Sequence, residues 1–315
     1  MPGPQHRGLQ LSRHVHAIVE RHDFQEHAQE SRVRSNMRPV QPIMVIDLFP
    51  PERRQLLKLF SELEVQEWEK PTICPGWSVK DIGLHLLGDD IGYLSRTRDQ
   101  FSNPFFRNKD LHEWKSLVNT INEANYLWVK ATARLSSQLL SDLLAWTGNQ
   151  FHAYVQALDP MAIGGVVSWA GPDPAPMWLD TAREYTERWV HQQQIRDAVN
   201  KPGLKERQFF HPVLDTFVRA LPLTYQDIAV ADATVLKFVV TGEAGDVWYL
   251  VGEANRWSLF QDVALQPVTV VTMDQETCWR LFTKGMNKEQ ARARAAIEGD
   301  QTLGEKLLET VAILA

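Results

Sequence analysis

The 315-residue chain holds only two cysteines, Cys74 and Cys278, far apart in sequence. A disulfide framework is therefore not expected, and a reducing cytoplasm is the expected compartment. No apolar run approaches the roughly 20 residues a membrane-spanning helix needs, which argues against a membrane protein. An excess of positive charge is also missing. The net charge of −6 gives no footing for a nucleic-acid or anionic-membrane partner. Internal repeats are absent as well. What remains is the composition of an ordinary globular protein, 44% hydrophobic and 23% charged, long enough for two domains with their own cores.

Residues 1–43 differ from the rest. They hold half of the ten histidines, many arginines and few aliphatic residues. His14 with His16, or His22 with His27, have spacings a metal could use, but no apolar face is present to order them. Nor is there the continuous apolar segment of a secretory signal. The expectation is a disordered or mis-called extension, with Met44 as the true start.

From Asp47 the apolar spacing is helical. Pro50-Pro51 opens a helix with Leu56, Leu57, Phe60 and Leu63 on one face. The stretch 71–90, PTICPGWSVKDIGLHLLGDD, is a turn feeding a strongly specified helix. Ser78 is its N-cap, Asp81 closes a capping box, and Trp77 and Ile82 occupy staple positions. Further helices are expected over 111–137 and 141–158. The Gly- and Pro-rich segment 161–177 reads as a loop, either a lid or a long crossover. Asp180 is expected to cap a last long helix, which Lys201-Pro202-Gly203 terminates near Asn200. These elements make a four-helix bundle over 44–203.

After residue 203 comes a short helical piece at 211–221, and then the pattern changes. The runs 234–242, 246–253, 256–260 and 268–273 are β-branched and aromatic, separated by turn chemistry as in consecutive hairpins. Helical stretches at 274–284 and 303–314 follow, with a possible fifth strand before Gly299-Asp300. The spacing predicts a small α+β domain over 204–315, with a mainly antiparallel sheet.

Chemistry is concentrated in the helical part. Glu187 and His191 are four apart on one predicted helix and can converge on one ion. With His85 from the second helix they offer two imidazoles and a carboxylate, a set suited to zinc or another divalent metal with positions left open. Asp89 and Asp90 are either groups orienting His85 or a charged helix end. Glu184 shares a face with Glu187 and is a fourth ligand, a base, or, as expected here, an exposed residue. Cys74 reads as a small buried residue rather than a nucleophile.

The segment 71–90, with its Cys74-to-Trp77 turn, Ser78 cap and His85, resembles the mycothiol-dependent maleylpyruvate isomerases, members of the DinB-like bundle superfamily. ERWVHQQQIRDAV resembles that family's late helix, with Glu187, His191 and a following Asp197. The C-terminal part, ending in IEGDQTLGEKLL, is similar to the sterol-carrier-protein-like domain that often follows. The resemblance implies an α+β multidomain protein with a DinB-like bundle and a metal at His85, Glu187 and His191. It further implies mycothiol or a similar thiol as cosubstrate, and isomerisation or thiol transfer on a small electrophile. Arg280 and Arg256 are possible cationic groups for substrate carboxylates. A monomer or homodimer is expected. The rival is a non-catalytic metal-binding bundle whose C-terminal domain binds an apolar ligand.

Overall fold

A computed structural model describes residues 37–107, 109–111 and 113–313. The histidines of the first 36 positions, and the extension reading attached to them, lie outside these residues. The described chain is α+β, with helices first and a mixed sheet after them.

Residues 37–43, which the sequence reading placed before the structured chain, already take part in it. β1 (Arg38–Pro39) lies on the edge of the later sheet, Ile43 is buried, and the Gln41 carbonyl accepts from Arg219 at 2.9 Å. α1 (Phe49–Ser61) carries Pro50 and Pro51 in its first turn, where a missing N–H loses no intrahelical bond. Its Phe60 packs on Trp68 with ring centroids 4.6 Å apart. α2 (Val79–Tyr93) starts as the capping box specifies: the Ser78 hydroxyl accepts from the Asp81 N–H, and Asp81 Oδ2 accepts from the Ser78 N–H.

The break between the next two helices falls at 133–136. α3 (Trp114–Thr132) ends earlier than the sequence suggested and α4 (Ser137–Gln156) begins earlier. Ser136 is the reason: its hydroxyl accepts from the Leu139 N–H, and serine favours such caps over helix interiors. Gly88 lets α3 approach α2 closely. A Cβ there would stand 2.6 Å from Trp128 Nε1, whose N–H donates to the Leu84 carbonyl at 2.7 Å.

Segment 161–177 contains a short hairpin, β2 (Ile163–Val166) with β3 (Pro174–Pro176). α5 (Met177–Val199) then starts before Asp180, which is not its cap. The Met177 and Trp178 N–H groups donate instead to the carbonyls of Ala162 and Pro160, so no side-chain cap is needed. Asn200, at φ 56°, closes the helix in the left-handed conformation.

Past residue 203 come α6 (Arg207–Phe217), α7 (Leu221–Thr224), β4 (Val235–Thr241), β5 (Val247–Glu253), β6 (Arg256–Asp262), β7 (Thr269–Asp274), α8 (Gln275–Phe282), α9 (Lys288–Arg292), β8 (Ala296–Gly299) and α10 (Gln301–Leu307). The sheet order is β1-β6-β5-β4-β7-β8. β4, β5 and β6 are consecutive hairpins as expected, but β7 crosses over to pair parallel with β4. Both strands of that pair are interior to the sheet. Their apolar runs fix burial but not which neighbour each takes.

One hydrophobic core runs across residue 203 without a break. It joins Phe49, Tyr185 and Trp189 of the helical part to Phe210, Phe238, Trp248 and Phe282. A second cluster, including Leu56, Phe60, Ile82, Leu140 and Ile195, fills the space among α1, α2, α4 and α5. Among the described residues no helix is long and apolar enough to cross a membrane. Both cysteines are free thiols.

Candidate metal centre

Seventeen of the 23 residues of α5 are buried, so its polar side chains need partners inside the protein. They find them on two adjacent faces. One face meets α2, which runs antiparallel to α5, and brings His85, Asp89 and His191 together, with Glu187 beside His191. His85 Nε2 lies 3.1 Å from His191 Nε2, with the rings at 87°. Asp89 Oδ2 stands 3.3 Å from His85 Nε2, and Glu187 Oε2 stands 3.7 Å from His191 Nε2. The tightest trio is His85, Asp89 and His191, whose ligand atoms all lie within 4.8 Å of one another.

His191 is held in one tautomer. Its Nδ1 is 2.7 Å from Gln194 Oε1, which also accepts from Cys74 Sγ at 3.3 Å. A carbonyl oxygen only accepts, so Nδ1 carries the proton and Nε2 presents its lone pair to the cluster. The Trp77 ring stands edge-on to His85 at 5.1 Å and walls off that side. The cluster opens through its carboxylates: the Asp89 side chain is 28% exposed and that of Glu187 19%, against 8% for His85 and 6% for His191.

Burial dominates the electrostatics. It pushes His85 and His191 down to about 4, with Arg188 adding to the effect at His85 and His85 itself at His191. It pushes Asp89 up to about 7 and, together with the Asp89 charge, Glu187 up to about 8. Neutral imidazoles and reluctantly ionised carboxyls facing one point are what a divalent cation would reverse. Two imidazoles and the Asp89 carboxylate, with Glu187 beside His191, are donors suited to zinc or a similar first-row ion, so the residues present fit the group.

The other face of α5 is an ionic core. Asp90, fully buried, accepts from Arg53 Nη1 and Nη2 (2.7 and 3.1 Å), Arg188 Nη2 (2.9 Å) and Thr147 Oγ1 (2.7 Å). Glu184 is neither exposed nor free, as the sequence had suggested it would be. It is buried and bound by Arg188 at 2.8 Å and Arg183 at 2.6 Å, whose charges outweigh burial and hold its carboxyl below the usual range. It serves the core rather than the metal face.

The structure places His85 beside His191 and Glu187 beside His191, but the trio it groups most closely is His85, His191 and Asp89, which had been read as an orienting or helix-end group. A signal for Asp89 was available: it sits four residues after His85, the same spacing as Glu187 to His191. Gln194, three residues after His191, was missed because an amide has no metal-ligand signature. Burial raises the Cys74 thiol pKa, as its inert reading requires. Arg280 is occupied by Asp197 at 2.7 Å and Glu276 at 3.6 Å, while Arg256 opens β6 opposite Glu253.

The fold and these side chains define a class, an α+β protein whose helical part carries a histidine–carboxylate cluster between two antiparallel helices. The particular family follows from the sequence. Residues 49–196, just under half of the chain, match the family described as the mycothiol maleylpyruvate isomerase N-terminal domain, to which this segment is similar. No curated protein matches the sequence. Among solved structures it is similar to mycothiol-dependent maleylpyruvate isomerase, with 11% identity and a TM-score of 0.45 over 75% of this chain and 86% of that one. A mutant of that enzyme matches with 10% identity and a TM-score of 0.44 at the same coverage. A ubiquinone synthesis protein described as UbiJ-SCP2 matches 32% of this chain and 89% of its own, with 16% identity and a TM-score of 0.22.

Proposed function

We propose that this protein is a divalent-metal-dependent enzyme that uses a low-molecular-weight thiol of the mycothiol type on a small electrophilic substrate, in an isomerisation or transfer. The observation that carries the reading is the partly open cluster of His85, Asp89 and His191, with ligand atoms within 4.8 Å of one another and Glu187 3.7 Å from His191, inside the segment that matches the isomerase family. Residues 44–203 would form the DinB-like bundle and 204–315 the sterol-carrier-like domain of a cytoplasmic protein.

His85, Glu187 and His191 would hold the metal. When bound, it would supply the positive charge that lets a thiol lose its proton at neutral pH. Each surrounding side chain has a separate task. Gln194 keeps the His191 Nε2 lone pair on the centre, and Trp77 keeps water from the far side of His85. Asp89 is the most exposed of the four, so its free carboxylate oxygen is placed to accept the thiol's proton. Cys74 donates to Gln194, which suits a supporting role and not a nucleophilic one.

The rival reading, a non-catalytic bundle with an apolar-ligand domain, has one observation behind it. A cleft of about 220 Å³ has Trp169, Leu223 and Val311 in its wall. Yet Ser168 and Trp169 of that wall precede residue 204, and the histidine cluster is not sealed. The test is elemental analysis of the purified chain beside His191→Ala. Near-stoichiometric divalent metal, lost in the variant, is expected. Equal metal in both proteins, or none in either after incubation with zinc, would refute the reading.

A further inference from the structure

We propose that Glu52 and Arg53, neighbours on α1, form the positioning clamp of the metal centre, setting the spacing of its ligand-bearing helices without supplying a ligand. The inference rests on the metal-centre reading above. It starts from a repeated spacing. Three of the four residues of the cluster are followed at once by a buried polar residue on the core side: Asp89 by Asp90, Glu187 by Arg188, and His191 by Gln192. The cluster and this inner layer therefore occupy adjacent faces of the same two helices.

Both helices are gripped from α1. Arg53 donates from Nη1 and Nη2 to the two carboxylate oxygens of Asp90 on α2, and from Nη1 to the Leu144 carbonyl on α4 at 2.7 Å. Glu52 Oε1 accepts from Gln192 Nε2 on α5 at 2.7 Å. The circuit closes where Arg188 of α5 donates to Asp90 of α2. Glu52 is 1% exposed, Arg53 8%, and Asp90 and Gln192 are fully buried. α4 makes room for the guanidinium at Gly148, where a Cβ would stand 3.1 Å from Arg53 Cγ and from Nη1.

Apolar side chains could fill the same volume, but they would tolerate a small slide of one helix along another. A forked guanidinium–carboxylate pair, buried and charge-assisted, has essentially one geometry. That precision matters here, because metal–ligand distances are held to within about 0.2 Å. The i,i+1 spacing transmits the grip directly: a shift of Asp90 or Gln192 carries Asp89 or His191 with it.

Geometry and electrostatics predict opposite results, which makes the clamp testable. Zinc affinity of the full chain would be measured by competition with a chromophoric chelator, and coordination by the absorption bands of the Co²⁺-loaded protein. Arg53→Met is expected to weaken zinc binding about 10- to 100-fold, the range for loss of an outer support, and to shift the Co²⁺ bands. Glu52→Leu removes the acceptor for Gln192 and is expected to weaken zinc binding and shift the Co²⁺ bands as well. If charge alone mattered, Arg53→Met would remove a cation near a dication and bind more tightly. That pattern overturns the clamp, as does unchanged affinity and spectrum in Arg53→Met. Should Arg53→Met fail to fold, Gly148→Ala presses a methyl onto the guanidinium and is expected to weaken binding in the same direction. Unchanged affinity there overturns the proposal. A wild-type chain that binds no zinc overturns clamp and metal centre together, whereas normal binding with indifferent variants overturns the clamp alone.

Discussion

Asp90→Asn is the sharpest test of the ionic core. The wild-type carboxylate is fully buried and accepts four hydrogen bonds, three from the guanidiniums of Arg53 and Arg188 and one from Thr147. Asparagine keeps the volume but turns an NH₂ toward donors and leaves two buried cations without their shared anion. Removing one partner of a buried pair costs about 3–5 kcal/mol. The core is continuous across the chain, so a single transition is expected, with a melting point lowered by about 6–10 °C at about 2 °C per kcal/mol. Thr147→Val removes only one neutral donor and should cost about 1 kcal/mol. The sign with pH follows from the charge state. Burial pushes the Asp90 carboxyl up, but Arg53 and Arg188 outweigh it and hold the folded pKa below the usual carboxylate range. Its contribution is therefore fully present above about pH 4 and is lost as pH falls through the folded value. Circular dichroism melts at pH 7 and at about pH 3 would show a large gap between wild type and variant closing on acidification. A gap no larger than that of Thr147→Val at pH 7 would refute the argument.

Metal binding should release protons. In the metal-free protein at pH 7, Asp89 at about 7 is half protonated and Glu187 at about 8 is mostly so, while His85 and His191 at about 4 are already neutral. Zinc uptake at pH 7 should release about one to one and a half protons per ion, read by calorimetry in buffers of different ionisation enthalpy; no release would contradict a metal centre faced by these carboxyls. The same carboxyls bind more protons folded than unfolded between about pH 4 and 8, and the histidines bind fewer between about pH 4 and 6.5. Chelator-treated protein should therefore lose thermal stability as pH rises from about 6.5 to 8, and Asp89→Asn should flatten that slope. Gly88→Ala forces a methyl against the Trp128 indole and should cost about 1–3 kcal/mol, with a wild-type melting point as the contrary result.

Much of this architecture was legible in the sequence where local physics is sufficient. The Ser78–Asp81 box, the proline-opened α1 and the strands β4 to β7 are set by caps, turns and side-chain periodicity. What escaped depends on contacts between distant segments. The start of α5 was misplaced because its first N–H groups are satisfied by carbonyls of the preceding loop, which no cap residue announces. The parallel partnership of β4 and β7 was missed because an apolar run does not name its neighbour. At the proposed centre, His85, Glu187 and His191 were singled out by helical spacing and family resemblance, whereas Asp89, which the structure groups with the two histidines, was not read as a ligand. The core that supports them could not be picked out, since Arg53, Asp90, Glu184 and Arg188 look like the solvated charges of any helix surface.

That failure has a physical meaning. A bundle stabilised only by packing would place leucines at Arg53 and Arg188, since replacing a buried ionic group by apolar side chains is often neutral or stabilising. Keeping charges there lowers the tolerance of the fold to substitution and gains a fixed register between α2 and α5. The residues that would use a fixed register are the next ones along the same helices, Asp89 and Glu187. If the centre binds no metal, this arrangement has no evident use. An apolar replacement of Arg53, Asp90 and Arg188 together with Glu184→Gln, which relieves the carboxylate that Arg188 binds, should then be as stable as the wild type and lose nothing. If the centre does bind metal, the same combined replacement should fold but bind zinc poorly, and measuring affinity and melting point on one protein separates the two cases.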